Sequence, residues 1–180
     1  MDTITAIKER RSVRKYKDQL VDRKLMEDIM DVTRYAPSWI NYQVARWTLI
    51  DDPAVIAKLS TDGVREFSYN MSTLQNAKGV AILSFVKGKS GNMDNYDMES
   101  HNVEKWEVFD SGIACQTFCL AAHARGVATC IFGVIEETEI AKIIGLPADE
   151  TVAALIVYGY ADVTPPAPAR KEISETVRFI

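Results

Sequence analysis

An α+β domain is the fold this sequence predicts, and three observations predict it. Helix-like and strand-like segments are mixed along the chain without the regular βαβ alternation of a doubly wound sheet. Two apolar runs, VAILSFV (80–86) and VAALIVYGY (152–160), are β-rich and continuous enough to be interior strands covered on both faces. With 180 residues, 47% of them hydrophobic, the chain is long enough to bury one core and short for two, so residues 1–180 read as a single domain.

The elements follow in order. Residues 3–10 predict a short helix with Thr3 at its N-cap. Asp22 opens a second helix over 22–35, where Leu25, Met26, Ile29 and Val32 fall on one side and charges on the other, and Pro37 stops it. WTLI (47–50) and the runs at 80–86 and 152–160 supply strands of a central sheet. The polar, Gly- and Asn-containing stretch over 88–106 predicts a lid-like excursion. DSGIACQTFCLAAHARG (110–126) predicts the longest helix, with Asp110 as N-cap and Gly126 at C′. It carries no charge from Ser111 to Ala122, and a helix apolar nearly all round needs cover on all sides, which favours a subunit interface and hence a homodimer. EETEIAKIIGLP (136–147) is a further helix, acidic at its start and closed by Gly145 and Pro147. TPPAPAR (164–170) must be extended, because each proline fixes φ and removes a donor, so 164–180 reads as a C-terminal arm.

Composition excludes several functions. A formal net charge of −4 argues against general nucleic-acid binding, which needs a basic face to displace counterions. No apolar run reaches membrane-spanning length and the N-terminus lacks a secretory pattern, so a cytoplasmic protein without a membrane partner is expected. Cys115, Cys119 and Cys130 are odd in number and sit in apolar surroundings, the pattern of free buried thiols. The phosphate-loop, dinucleotide-loop, HExxH and CxxC signatures are absent, and His101 and His123 are the only histidines, so no metal site is expected. Any hard chemistry then belongs to a bound organic cofactor that works on a small-molecule substrate.

The most unusual segment is ERRSVRKY (9–16), which concentrates Arg10, Arg11, Arg14 and Lys15 around one serine. In an extended chain Ser12 and Arg14 share a side, and arginine forks with a serine hydroxyl suit a phosphate. A solvated basic surface has the same spacing, and spacing alone does not choose between them.

ERRSVRKY is accompanied by APSWINYQ (36–43), DSGIACQTFCLAAHARGVATCIFG (110–133), IIGLPADETVAALIVYGYAD (143–162) and ARKEISETV (169–177). In this order across the chain, these segments resemble the successive signatures of the FMN-dependent nitroreductase family. The resemblance implies an α+β, nitroreductase-like fold with a central mixed sheet flanked by helices. It also implies an intertwined homodimer with FMN in the subunit interface. It assigns Arg10, Arg11, Ser12 and Arg14 to the flavin phosphate and ribityl chain, with Arg170 and Lys171 closing on the phosphate. Pro37, Ser38, Asn41 and Gln43 would come from the partner subunit, and Asn70 would reach the pyrimidine edge of the ring. Ile131, Phe132 and Gly133 would lie along the isoalloxazine, with a backbone N–H near N5.

The implied activity is that of an FMN-containing oxidoreductase of ping-pong type. NADH or NADPH is the electron donor, and a nitroaromatic, a quinone or a similar small molecule is the acceptor. Phosphate accounts for about two negative charges, so one cation is left over, and Arg14 is expected to stabilise charge at N1 and O2 of the reduced ring. No side-chain acid or base is required. Tyr69, Trp106 and Phe109 are expected on the substrate side. Trp39 and Ile40 replace the small residues usual after APS, Val44 and Ala45 stand where Pro-Trp is usual, and Thr73 stands near where some relatives carry lysine. A dehalogenating or enoyl-reducing flavoenzyme, or an FMN-storage protein, fits the same segments.

Overall fold

The computed structural model describes residues 1–92 and 103–180. Among them, the chain forms α1 (Thr3–Glu9), α2 (Arg23–Thr33), a 3₁₀ turn (Trp39–Asn41), β1 (Ala45–Ile50), α3 (Pro53–Asp62), α4 (Ser68–Gln75) and β2 (Gly79–Val86). There follow α5 (Val103–Ala124), β3 (Ala128–Phe132), α6 (Glu137–Ile144), β4 (Glu150–Gly159) and α7 (Ile173–Thr176).

The strands make one sheet in the order β1-β2-β4-β3, with every ladder antiparallel. The mixed character expected of the sheet comes down to a single parallel bridge, Ser12 to Thr129, because the chain that would form a parallel ladder there leaves β3 after one pairing. β2 and β4 are the interior strands, as their unbroken hydrophobicity predicts. Alternation along β2 sends Val80 and Ile82 to one face and Ala81 and Leu83 to the other, and along β4 it separates Leu155 and Val157 from Ile156 and Tyr158. The first face is covered by Ile56 and Leu59 of α3, Leu74 of α4 and Ile140 of α6. The second is covered by Met26 and Ile29 of α2 and by Cys115, Phe118, Cys119 and Ala122 of α5.

Helix ends depart from the sequence reading in two places. Asp2, not Thr3, caps α1, its Oδ1 accepting from the Thr5 N–H at 3.1 Å. Helix α5 begins at Val103, so Asp110 lies inside it; Glu107, Asp110, Ser111 and Ala114 are all buried, and the helical period therefore runs back through the charged first turns. Of the excursion expected over 88–106, residues 93–102 lie outside the described residues, 88–92 form a turn and 103–106 belong to α5.

Helices α3 and α4 and strand β3 were not anticipated. Helix α3 is nevertheless encoded by Asp52 capping the Ala54 N–H at 2.8 Å, followed by Pro53 at the first helical position. Gly145 takes the left-handed conformation (φ 64°) that closes α6, as its position predicts. The three cysteines are free and buried. No helix among the described residues is long and apolar enough to cross a membrane.

Helix α5 is covered on one face only. Phe118 is fully buried with its ring centroid 4.9 Å from that of Trp47, whereas Val108 and Phe109 are exposed. Phe118→Ala is expected to cost about 3–5 kcal/mol, the range for truncating a buried aromatic. The midpoint of urea unfolding checks it.

Candidate functional site

The basic segment takes its shape from where α1 stops. Arg10 is the C-cap, with ψ 131°, and its N–H closes on the Ala6 carbonyl at 3.1 Å, after which the chain runs extended beside β3. The Val13 N–H donates to the Thr129 carbonyl at 3.0 Å, and Val13 itself is buried. Alternation therefore puts Ser12 and Arg14 on the opposite, outward side.

Arg10, Arg11, Ser12 and Arg14 line an open cavity of about 430 Å³ together with Pro165, Pro166, Pro168 and Arg170 of the C-terminal arm. The arm's extended proline-rich course carries Arg170 back over a segment more than 150 residues away in the chain. Lys171 is exposed and does not line the cavity. Arg11 is braced by its Nη1, which donates to the Lys8 and Arg10 carbonyls at 2.6 and 2.9 Å. Arg14 Nη1 donates to the Ser12 carbonyl at 3.1 Å, and its guanidinium carbon stands 5.4 Å from the centroid of the Tyr69 ring.

Four guanidinium groups thus share a cavity with no carboxylate in its lining. An anion would relieve their repulsion, and a phosphomonoester of about −1.5 to −2 charge has the matching charge. The field of these groups reaches the thiol behind them: burial pushes Cys130 up, while the Arg14 and Arg10 charges pull it partly back. His123, at the end of α5, is held below its ordinary value first by burial and then by Arg10 and Arg11. It stands outside the cavity, and its Nε2 is buried without a partner among the described residues.

The adjoining edge of β3 is open. Thr129 turns its carbonyl outward to Val13, so Ile131, two residues on, also directs its backbone groups outward. The Ile131 side chain is exposed, Phe132 is buried, and Gly133 has open space where a Cβ would stand. Among the described residues, the N–H groups of Gly133 and Val134 have no hydrogen-bond partner. The chain just beyond is fixed at three points. Asn70, buried in α4, donates through Nδ2 to the Val134 carbonyl at 3.3 Å. Arg65 Nε donates to the Ile135 carbonyl at 3.1 Å and pairs with Glu136 at 2.9 Å. The Glu136 N–H donates to the Gly63 carbonyl at 2.9 Å.

Arg65 and Glu66 are consecutive residues in the left-handed region, at φ 41° and 48°. Left-handed backbone costs an L-residue roughly 1–2 kcal/mol. An exposed ion pair returns about 0.2–1 kcal/mol and one hydrogen bond about 0.5–1.5 kcal/mol. These contacts offset part of that cost, and the buried Val64 and the Phe67 N–H bond to its carbonyl hold the turn further.

Segment 36–43 lies elsewhere. Pro37, Ser38 and Gln43 line a separate groove of about 180 Å³ with Met30, Trp47 and Asp110, and Asn41 is exposed. Ile40, Asn41 and Gln43 have φ values of 45°, 58° and 52°. This strained run is held by Ser38 Oγ, which accepts the Gln43 N–H at 2.8 Å, and by Asp110, whose carboxylate accepts the Trp39 N–H at 3.0 and 3.2 Å and the Ser90 hydroxyl. Trp39 also meets Trp106, with centroids 4.5 Å apart, and Trp106 meets Phe109 at 5.3 Å.

Comparison with known proteins bears on the whole of this arrangement. The model of the nitroreductase family matches residues 7–160. The chain belongs to the nitroreductase family. Among curated nitroreductase relatives, it is 24% identical over 217 residues to a 4-nitrobenzoate reductase of Nocardioides sp., covering 97% of this chain and 88% of that one. It is also 22% identical over 183 residues to an NADH dehydrogenase of Thermus thermophilus, covering 89% and 87%. Among solved structures, one from Exiguobacterium sibiricum in complex with FMN superposes with a TM-score of 0.84 at 20% identity, covering 100% of this chain and 98% of that one. An FMN-dependent nitroreductase of Clostridium difficile superposes at 0.79 with 24% identity, covering 98% of each.

The nitroreductase fold thus brings Arg10, Arg11, Ser12, Arg14 and Arg170 together, with Asn70 and Ile131, Phe132 and Gly133 tied into the neighbouring edge. It does not bring Pro37, Ser38, Asn41 and Gln43 to the same cavity of one chain. Of the aromatic residues expected on the substrate side, Tyr69 lies under Arg14, whereas Trp106 packs on Trp39 and Phe109 meets Trp106 edge-on. Thr73 is buried with its hydroxyl donating to the Tyr69 carbonyl at 2.8 Å, and is spent within its own helix. Sequence reasoning missed Arg65 and read Asp110 as a helix cap rather than as a buried carboxylate that holds Trp39 and Ser90. The available signal for Asp110 was an acid three residues after Glu107 on an otherwise apolar helix face. Asp110→Ala is expected to cost about 1–3 kcal/mol for each buried donor left unpaired, with Asp110→Asn milder because one acceptor oxygen remains. Urea unfolding of both variants measures it.

Proposed function

We propose that this protein is an FMN-dependent NAD(P)H oxidoreductase that acts as a homodimer on nitroaromatic, quinone or similar small acceptors. The observation that carries the proposal is the cavity in which Arg10, Arg11, Arg14 and Arg170 surround Ser12, in a chain of net charge −4. Membership of the nitroreductase family gives the gathered cations their ligand, and the open β3 edge fits the rest of it. A flat ring beside Ile131 and Gly133 finds N–H donors without partners and, at Gly133, no side chain in its way.

When bound, FMN supplies the redox chemistry, taking hydride at N5 from NADH or NADPH and passing reducing equivalents to the acceptor. The chain's own residues hold and tune it. Arg10 and Arg170 would neutralise the phosphate and the Ser12 hydroxyl would donate to it, with Arg11 braced against the end of α1. Arg14 is the surplus cation; resting over Tyr69, next in sequence to Asn70, it supplies positive charge toward the ring's pyrimidine side. Gly133 and Val134 offer N–H groups to the ring edge. The reaction needs no side-chain acid or base.

A dimer is supported by what a single chain leaves bare. Helix α5 exposes Val108 and Phe109, and the arm exposes Ile173, Val177 and Phe179. Pro37, Ser38, Asn41 and Gln43 belong to the face of one chain that would serve the cavity of the other. Three free cysteines suit a reducing, intracellular setting.

Two measurements test the reading. Purified protein loaded with FMN should bleach within seconds on anaerobic addition of NADH or NADPH and recover its colour with an acceptor; a flavin-loaded protein inert to both nucleotides would instead be a storage module. Replacing Arg10 and Ser12 together by alanine is expected to weaken FMN binding by roughly 2–4 kcal/mol through lost charge-assisted hydrogen bonds. Flavin retention after dialysis, followed by fluorescence titration, checks this, and an unchanged affinity rejects the assignment.

A further inference from the structure

We propose that Arg65, well outside the cation cavity, is a positioning residue that aims the Gly133 and Val134 N–H donors and thereby sets the flavin's redox behaviour. The inference rests on the FMN reading above.

Its starting point is the strained pair Arg65 and Glu66, in left-handed backbone between two fully formed helices. Two adjacent L-residues in left-handed backbone persist only where the surroundings over-determine them. Here the surroundings are known. Val64, fully buried, anchors the turn, and the Phe67 N–H returns to the Val64 carbonyl at 3.0 Å. The left-handed step then carries the Arg65 side chain across to the chain that leaves β3.

What Arg65 does there follows from peptide geometry. The C=O and N–H of one trans peptide point in opposite directions. The Ile135–Glu136 peptide is gripped from both sides, its carbonyl by Arg65 Nε at 3.1 Å and its N–H by the Gly63 carbonyl at 2.9 Å. The preceding carbonyl, of Val134, is gripped by Asn70 at 3.3 Å. Two successive peptides are thus locked in orientation immediately after the two N–H groups that have no partner among the described residues. Donors aimed in advance at the place where charge develops act without reorganisation, and that is where the leverage of such groups lies. The Arg65–Glu136 ion pair is largely exposed, at 61% and 39%, so its worth to stability is small.

The test uses the FMN-loaded protein and two variants, Arg65→Met and Arg65→Lys, with three readouts. Arg65→Met is expected to slow anaerobic flavin reduction by NADH or NADPH about tenfold. It should lower the flavin's two-electron potential by about 30 mV, which is a tenfold change in the equilibrium. FMN affinity should change less than about threefold, because the phosphate cavity is untouched. Arg65→Lys, which retains a donor for the Ile135 carbonyl, should recover part of both effects. In the flavin-free protein, hydrogen exchange of the Glu136 amide, which donates to the Gly63 carbonyl, should quicken in Arg65→Met and not in Arg65→Lys. An FMN-loaded Arg65→Met with unaltered potential and reduction rate overturns the positioning role and leaves the flavin assignment standing. Equal loss in both variants overturns it as well, showing a merely structural arginine. A wild-type protein that never takes up FMN overturns the functional reading itself, while the exchange measurement still reports on the clamp.

Discussion

Strand β3 is closed along half of its outer edge and open along the other half, and the candidate site depends on that division. Val13 satisfies the Thr129 carbonyl, and there the pairing ends. Had the chain after Val13 continued alongside β3, the edge would be an ordinary interior ladder, with no N–H left to offer and Arg14 carried away from Tyr69. Because the pairing stops, one short segment does two jobs. Its buried residue, Val13, fastens it to the sheet, and its outward residues, Ser12 and Arg14, face the cavity.

The second condition is electrostatic. Gathering four guanidinium groups is unfavourable until an anion arrives, and the fold supports them meanwhile through backbone carbonyls and an aromatic face: Arg11 on Lys8 and Arg10, Arg14 on Ser12 and on the ring of Tyr69. Each such contact spends a donor on neutral partners, so no carboxylate neutralises the cavity in advance. Two buried acids are engaged elsewhere. Glu107 and Asp110 of α5 hold Gly88, Ser90 and Trp39, fastening the 88–90 turn and the 36–43 segment to that helix.

Much of this was legible in the residues. The interior strands announced themselves because a strand buried on both faces has no reason to alternate, and the basic cluster did so because four cations around one serine are conspicuous in an acidic chain. Strand β3 was not legible as a strand, since five residues at a sheet edge leave too little pattern. Helix α4, SYNMSTLQ, has no apolar stripe to reveal it and is held in place by Asn70, Thr73 and Leu74 packing inward. Arg65 was silent because its importance lies in a left-handed backbone that ordinary L-residues avoid and sequence does not advertise. The placement of 36–43 away from the cavity was legible only through the family resemblance, which assigns it to a second subunit.

The strand order carries a consequence for how the protein is made. The central ladder joins β2 to β4, with α5, β3 and α6 all lying between them in the chain. While the polypeptide emerges from the ribosome, β2 has only β1 beside it, and its other edge stays uncovered until β4 has been made. The cation cavity is likewise assembled from residues far apart in the chain, Arg10 to Arg14 and Arg170. Assembly is therefore of high contact order, slow by comparison with helical domains of this length. During that wait, an apolar strand with a bare edge is the segment most exposed to mispairing.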